Sequence, residues 1–391
     1  MEASSGAGEQ LPRLSRAAAD LDGPLAVVDL DALEDNARLL ERNAGGVPIR
    51  VVSKSLRVRA LVEQVRARPG WRGVLTYAAA EAVWLARSGH RDLVVAYPSA
   101  DRESIREIAG DPGLAEVIVL TVDSVEHLDR LRRVVPGARL RLSVDVDAAL
   151  AIGGRRLGVL RSPLRTVADV LAVVRAAQAD GHAVVGLMVY DAQIAGLPDT
   201  SPLVRQVKAR SDEQLRGRRT ALVEAVRAVA DLELVNGGGS GSLHVTGRDP
   251  ALTELAAGSG LLAPAVFDGY DALAGLRPAL LLGVPVSRRP GPGVVTLSSG
   301  GYAASGPPGW SRLPRPHAAY RLRLRRSEGG GEVQTPLQGA AADGLRVGDL
   351  VWLRPAKSGE VLERFDRVHL VRGERVVDTV PTYRGEGQCF G

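Results

Sequence analysis

The chain has 391 residues, long enough for two domains with a large buried core, and 45% of them are apolar. Its 50 lysines and arginines exceed its 45 acidic residues, which gives a formal net charge of +5. These charges are scattered, so composition argues against nucleic-acid binding. The single cysteine, Cys389, excludes an intrachain disulfide and any multi-cysteine metal site. No segment predicts a secretory signal or a membrane-spanning helix, so we expect a cytoplasmic protein.

Short apolar runs alternate with amphipathic helical patterns in the first two thirds of the chain. The runs are rich in β-branched residues, as in strands that are buried on both faces. They are LAVVDL (25–30), IRVVSK (49–54), GVLTY (73–77), DLVVAY (92–97), AEVIVLT (115–121), ARLRLSVDV (138–146), AVVGLMVY (183–190) and LELVNGGG (232–239). Eight such repeats favour a (β/α)₈ barrel of the α/β class over an open sheet. We place this barrel at residues 21–268.

The pattern changes after the barrel. Short strand-like runs divided by glycine and proline predict a C-terminal, mostly-β domain over residues 269–391. Residues 298–317 form a long Gly/Pro-rich loop, and loops of this length are often functional. Residues 1–20 are an N-terminal extension that is either partly disordered or joined to the β domain.

Lys54 ends the second apolar run, and the C-terminal ends of barrel strands form the catalytic face of such folds. The residue could be a core lysine that reaches outward, an ion-pair partner or a nucleophile. Lysine occurs only at positions 54, 208 and 357 in a chain that otherwise uses arginine. An amine can lose its proton and form a Schiff base, whereas a guanidinium cannot. The pattern therefore favours a class I aldolase or an enzyme that uses pyridoxal 5′-phosphate (PLP).

A phosphate site is visible in two glycine-rich segments. NGGGSGSLH (236–244) follows the eighth run, and GSG (258–260) comes shortly after it. Barrel loops after strands seven and eight frequently bind phosphate through backbone N–H groups. A flexible connector is the alternative, but the presence of Lys54 favours a cofactor site. The predicted cofactor-binding residues here are Asn236, Gly238, Gly239, Ser240, Gly241, Gly258 and Ser259.

Three segments resemble the fold-type III PLP enzymes, the alanine racemase-like barrels. They are AVVDLDALEDNARLL (26–40), VVSKS (51–55) and DVDAALAIGGRRLGV (145–159). The resemblance implies that Lys54 carries PLP and that Arg156 approaches its phenolic oxygen. It also implies a head-to-tail homodimer in which the β domain of one subunit covers the barrel mouth of the other.

Within that superfamily the chain looks most similar to the branch of D-threonine aldolase and D-serine dehydratase. Metal-dependent members of this branch carry a His and a Cys or Asp in a strand-end loop, and RPAKSGE (354–360) has Lys357 and Gly359 instead. Neither suits a divalent cation, so we predict no catalytic metal. Lys357 is then a candidate to stabilise an alkoxide at the substrate's β-oxygen or to act as an acid or base. A surface lysine in a turn is the alternative.

Several polar residues are further candidates. Tyr190 should lie near the cofactor ring, with Asp191 and Gln193 beside it at the substrate. In the tail, Arg384 could bind the substrate carboxylate and Tyr383 could be a base on the opposite face.

Two other residues have less specific predictions. Asp29 either orients Lys54 or caps a helix, and His369 is most simply a strand residue.

The function that these features imply is a PLP-dependent lyase. It would cleave or dehydrate a D-configured β-hydroxy amino acid, with Lys54 as the base. An amino-acid racemase or epimerase is the first alternative. A PLP decarboxylase, a non-catalytic PLP carrier and a cofactor-free class I aldolase are more remote ones.

Overall fold

The computed structural model describes residues 3–391, with side chains from residue 9 onward. In chain order the strands are β1 Leu25–Asp29, β2 Ile49–Val52, β3 Trp71–Thr76, β4 Leu93–Val95, β5 Ile118–Val122, β6 Arg141–Asp145, β7 Leu150–Ile152, β8 Arg155–Leu157, β9 Ala183–Val189, β10 Leu234–Gly237, β11 Glu254–Ala257, β12 Leu280–Gly291, β13 Val294–Leu297, β14 Arg315–Pro316, β15 Arg323–Leu324, β16 Thr335–Gln338, β17 Leu350–Arg354, β18 Arg367–Arg372 and β19 Arg375–Pro381. The α-helices are α1 Ala3–Ala17, α2 Leu30–Ala44, α3 Arg59–Arg66, α4 Ala79–Arg87, α5 Arg102–Gly110, α6 Pro112–Val117, α7 Val125–Val134, α8 Val167–Ala179, α9 Ala192–Ala195, α10 Pro202–Arg227, α11 Leu243–Thr246 and α12 Ser259–Leu262. None of these helices is both long and apolar enough to cross a membrane.

Eight parallel strands close into a barrel in the order β2–β3–β4–β5–β6–β9–β10–β11. A ring of helices surrounds it, and the apolar side chains between strands and helices form the main core. The predicted (β/α)₈ barrel followed by a mostly-β domain is therefore confirmed. The short hairpin β7–β8 projects after β6 and pairs only with itself.

The composition of the barrel differs from the prediction at one strand. The run at 25–30, predicted as a barrel strand, is β1, which pairs with β12 and β18 of the second domain. Its two faces pack against different hydrophobic clusters, so its buried pattern resembles that of a barrel strand. The missing barrel strand is β11, whose short sequence ELAA begins with a charged residue. That residue, Glu254, is buried because Arg50 of β2 pairs with it at 2.6 Å across the barrel seam.

The second domain is a nine-stranded sheet that includes β1 and β12–β19. The N-terminal helix α1 packs on this sheet, where Leu11 and Leu14 join Val27 and Trp352 in a separate apolar cluster. The indole N–H of Trp352 also donates to Ser15 at 3.0 Å. Chain segments before and after the barrel thus build one domain, and that domain lies against the barrel mouth.

Candidate active site

A cavity opens at the C-terminal ends of the barrel strands. It holds about 930 Å³ of space, including open solvent at its mouth, which is within the range of small-molecule sites. Lys54 lines it from the single 3₁₀ turn Ser53–Ser55 that directly follows β2. The predicted position of Lys54 at a catalytic strand end is therefore the position that the structure has.

Tyr97 is the direct partner of Lys54. The ammonium Nζ of Lys54 donates to the Tyr97 hydroxyl at 2.6 Å, and it also lies 5.2 Å from the centre of the Tyr97 ring. Tyr97 is half-buried and comes two residues after β4. Sequence reasoning did not select it, although it ends an apolar run in the same way as Lys54. The contact orients the amine and gives it a hydroxyl that can share a proton.

The two glycine-rich segments face the cavity from adjacent strands. Gly238–Gly241 follow β10, and Gly258 and Ser259 follow β11. The Ser240 hydroxyl accepts from the N–H of Gly260 at 3.0 Å and so ties the two loops together.

These loops have free donors and little room for side chains. Within the described chain, the N–H groups of Ser240 and Gly241 have no acceptor. A Cβ at Gly241 would overlap the carbonyl oxygen of Ala195, so only glycine fits there. Free N–H donors in a cavity that the hydroxyl residues Ser240 and Ser259 also line suit an oxyanion such as a phosphate.

Of the three site residues predicted after β9, the structure places one in the cavity wall and two outside it. Tyr190 lines the cavity, and burial raises the pKa of its phenol to about 12. Asp191 and Gln193 do not line it. The Asp191 carboxylate accepts from Thr246 at 2.5 Å, and Gln193 donates to the carbonyl of Ala148 at 2.6 Å. The cavity wall here therefore offers a neutral hydroxyl rather than a carboxylate.

The arginine that reaches the cavity is Arg161, not the predicted Arg156. Arg156 belongs to the exposed strand β8 and lies 3.5 Å from the carboxylate of Asp147. The guanidinium of Arg161 stacks between two rings, 5.8 Å from the centre of Tyr97 and 5.5 Å from that of Tyr190. The sequence motif therefore predicted an arginine five positions before the one that lines the cavity. Arg156 itself points outward because it belongs to the β7–β8 hairpin.

Asp145 adds an ionisable acid to the cavity wall at the end of β6. Burial, reinforced by the negative charge of Asp123, raises its pKa to about 7, although Arg161 opposes the shift. Near neutral pH this carboxyl can therefore hold or release a proton. Sequence analysis did not select Asp145, because its position is typical of the ordinary end of a strand.

The β domain contributes a loop that lies directly on the Lys54 turn. Gly359 has φ = +87°, and a Cβ there would overlap the carbonyl oxygen of Lys54. Two residues earlier, the Nζ of Lys357 lies 3.4 Å from the Ser305 hydroxyl. Burial lowers the pKa of Lys357, and the positive charges of Arg312 and Lys54 lower it further. Lys357 is thus held near Lys54, although it does not line the cavity itself.

The tail residues take positions that differ from the predicted roles. Tyr383 is fully buried, and its hydroxyl donates to Glu81 at 2.9 Å. Arg384 is exposed and pairs with Asp366 at 3.1 Å. Neither residue lines the cavity. Tyr383 instead closes an aromatic cluster with Trp84 and Phe390.

The remaining candidates have structural roles. Asn236 lines the cavity and donates to Glu254 at 2.8 Å, which connects it to the barrel seam. Asp29 caps α2 by accepting from the N–H groups of Asp31 and Ala32. His369 hydrogen-bonds to Thr379 at 2.9 Å within the sheet.

Among the described residues, no group of three or more His, Cys, Asp and Glu side chains is arranged to hold a metal ion.

The sequence family described as alanine racemase, N-terminal domain, matches residues 28–262. The chain belongs to this family. The predicted resemblance to the fold-type III PLP enzymes is thereby confirmed, and the family is PLP-dependent. The match spans the barrel and includes Lys54, Tyr97 and both glycine loops. No curated protein matches the chain.

Solved structures with this fold cover nearly the whole chain. D-threonine aldolase from Filomicrobium marinum superposes with a TM-score of 0.78 at 24% identity, covering 94% of this chain and 96% of that one. D-threo-3-hydroxyaspartate dehydratase from Delftia sp. HT23 gives 0.74 at 20% identity, with coverages of 93% and 97%. Alanine racemase from Clostridium difficile 630 gives 0.63 at 13% identity, with coverages of 93% and 99%. At these identities the likeness concerns the fold, including its β domain.

The residues present fit PLP. Lys54 provides the amine, and the N–H groups of Ser240 and Gly241, which have no acceptor within the described chain, provide phosphate donors in the same cavity. Tyr190 contributes a hydroxyl to the cavity, and Arg161 contributes a positive charge to it.

We predict that Gly359→Ala disturbs the Lys54 turn. A residue other than glycine at φ = +87° and ψ = −75° costs about 1–3 kcal/mol, and the overlap with Lys54 adds roughly 1–3 kcal/mol. The matched control is Gly373→Ala, which has φ = +56° but no atom within 4 Å of the new Cβ. Urea unfolding should show a clearly larger loss for Gly359→Ala, with weaker PLP absorbance. Equal losses for the two variants would contradict the contact.

We predict that Glu81 makes stability depend on pH. Burial raises its pKa from the ordinary 4.5 to about 7, so the folded state binds its proton more tightly than the unfolded state. This contribution is complete below about pH 4.5 and is lost as pH rises through 7. The shift corresponds to a loss on the order of 3 kcal/mol.

Urea unfolding at pH 5, 6, 7 and 8 tests the prediction. Glu81→Gln should flatten the fall in the free energy of unfolding, whereas the exposed control Glu328→Gln should keep it. A Glu81→Gln slope identical to that of the wild type would show that this carboxyl is not the source.

Proposed function

We propose that the protein is a PLP-dependent lyase that acts on D-configured β-hydroxy amino acids, by retro-aldol cleavage or by dehydration with deamination. The observation that carries the proposal is the cavity in which Lys54 faces two glycine loops while Lys357 of the β domain is held close by. Structures named D-threonine aldolase and D-threo-3-hydroxyaspartate dehydratase share the complete two-domain fold and add support.

Lys54 would hold PLP covalently, with the phosphate on Gly238–Gly241 and on Gly258 and Ser259. When bound, PLP withdraws electrons from the substrate's Cα and so lowers the barrier to breaking bonds there. Tyr190, with its pKa raised to about 12, presents a neutral phenol to the ring region at neutral pH.

The free amine of Lys54 is the base in this proposal. For cleavage it takes the proton of the β-hydroxyl while the Cα–Cβ bond breaks, and for dehydration it takes the proton of Cα while the hydroxyl leaves. Tyr97, at 2.6 Å, keeps the amine aimed into the cavity and shares its proton.

Lys357 is the group proposed at the β-oxygen. Its pKa is lowered by burial and by Arg312 and Lys54, so its proton is more easily given up than that of an exposed lysine. An ammonium there stabilises a developing alkoxide or protonates a leaving hydroxyl. This role takes the place of the metal in the metal-dependent branch, and activity is expected to survive treatment with EDTA.

A substrate panel tests the reaction class. The PLP-loaded protein is incubated with D- and L-forms of serine, threonine and 3-hydroxyaspartate, and aldehyde, keto acid and inversion at Cα are measured. Aldehyde or keto acid from D-isomers supports a lyase. Inversion without fragmentation would replace the proposal with the racemase alternative.

We predict that Lys54→Arg abolishes borohydride-stable attachment of PLP and lowers turnover at least about 1,000-fold, because a guanidinium can serve neither as nucleophile nor as base. Lys208→Arg is the control, since Lys208 is a buried lysine whose role is an ion pair with Asp199 at 2.6 Å. Peptide mass spectrometry after reduction locates the cofactor. Attachment at any other residue, or full turnover by Lys54→Arg, would refute the assignment.

We predict that Tyr97→Phe keeps PLP attached but lowers kcat roughly 100-fold and changes the pH profile of kcat. The ring and its packing remain, so only the hydroxyl that accepts from Lys54 is lost. Absorbance of bound PLP and a kcat–pH series separate this outcome from simple misfolding. An unchanged profile would limit Tyr97 to packing.

A further inference from the structure

Arg312 and Lys357 lie near the barrel mouth, and neither forms an ion pair with a carboxylate of the described residues. Arg312 and Lys357 both border residues 304–306 of the long Gly/Pro-rich loop. The guanidinium Nε of Arg312 would lie 3.0 Å from a Cβ at Gly306, so this side chain packs over the loop. The carbonyl of Arg312 accepts from the N–H of Ala304 at 2.8 Å, which fixes that arrangement. Lys357 reaches the same loop at Ser305, 3.4 Å away.

The local charges do not balance. Among the described residues, no carboxylate oxygen lies within 4 Å of the charged nitrogens of Arg312 or Lys357. The Nε of Arg312 is also buried without a hydrogen-bond partner in the described chain. Glu360 is the nearby acid, and one of its carboxylate oxygens already accepts from the N–H of Ser305 at 2.7 Å. By contrast, Arg354 on the preceding strand pairs with Asp268 at 2.6 Å.

The cations also stand close to the chemistry. Gly359 packs against the carbonyl of Lys54, and Lys357 lies two residues before it on the same loop. The positive charges of Arg312 and Lys54 both lower the pKa of Lys357, although Glu360 opposes them, so Lys357 lies within electrostatic reach of the other two cations. Partly desolvated cations without partners are costly, and an anion that pairs with them recovers that cost.

We propose that Arg312 and Lys357 form a subsite for an acidic side chain, so that the preferred substrate is a D-configured amino acid with a second carboxylate beyond Cβ. The inference rests on the proposed function and specifies its substrate class. A planar guanidinium binds a carboxylate through two parallel hydrogen bonds, and the ammonium of Lys357 adds a third donor. A neutral side chain such as that of threonine would leave both cations unpaired.

The kinetic test compares kcat/KM for D-threo-3-hydroxyaspartate and D-threonine. We expect the wild type to favour the dicarboxylate at least tenfold. Arg312→Gln should lower kcat/KM for the dicarboxylate at least tenfold and that for D-threonine less than twofold. Arg315→Gln is the matched control, because Arg315 is exposed on the same segment, 3.9 Å from Asp268. It should change neither value.

A binding test separates this inference from the proposed reaction. D-Aspartate and D-alanine lack a β-hydroxyl, so neither can undergo the lyase reactions, and calorimetric titration of the PLP-loaded protein compares their affinities directly. We expect D-aspartate to bind at least tenfold more tightly and Arg312→Gln to remove the difference. Equal affinities would overturn the subsite, as would an equal loss for both ligands, since that would assign Arg312 to the α-carboxylate common to both. If no amino acid reacts but D-aspartate is still favoured, the reaction fails and the subsite stands.

Discussion

The contact between Gly359 and the carbonyl of Lys54 is the constraint on which the site depends. Because Gly359 has no side chain, the loop of the β domain lies directly on the turn of the barrel that carries Lys54. Arg57, just beyond that turn, has φ = +47° and is held by Glu363 at 2.7 Å and by the N–H of Tyr383. The β domain therefore holds both ends of the Lys54 turn, and the barrel without it would lack these supports.

The buried acid Glu81 is a further link between the barrel and the C-terminal tail. Glu81 of α4 accepts from the N–H of Tyr77 at 2.8 Å and from the hydroxyl of Tyr383, so it links the end of β3 to the C-terminal tail. It lies near Ser53, the residue before Lys54, whose hydroxyl donates to the carbonyl of Leu75 at 3.1 Å. Tyr383 thus packs beside the region that holds Lys54 and does not line the cavity. The tail therefore packs beside the Lys54 region, with Tyr383 buried and Phe390 half-buried.

The sequence predicted those parts of the site that depend on local chemistry. A lysine at a strand end and glycines in a loop after a strand are placed by local sequence, so Lys54 and Gly238–Gly241 were predicted at positions that line the cavity. Arg156 and Tyr383 were misplaced because their directions depend on how a hairpin and a tail pack, and spacing does not specify that. β1 and β11 were exchanged for a related reason: burial on two faces shows that a strand is covered, but not which sheet it joins.

The rarity of lysine shows how much of a residue's role can be inferred from composition alone. Of the three lysines, Lys54 and Lys357 lie together, and this is the pair that the argument from rarity favours. Lys208 is equally rare, yet it forms a buried ion pair with Asp199 and packs 5.1 Å from the centre of the Tyr270 ring. That ring in turn fills the space beside Gly241, so even this lysine supports the glycine loop. Rarity therefore does not separate Lys208 from Lys54, and only contacts distinguish a candidate nucleophile from a lysine in an ion pair.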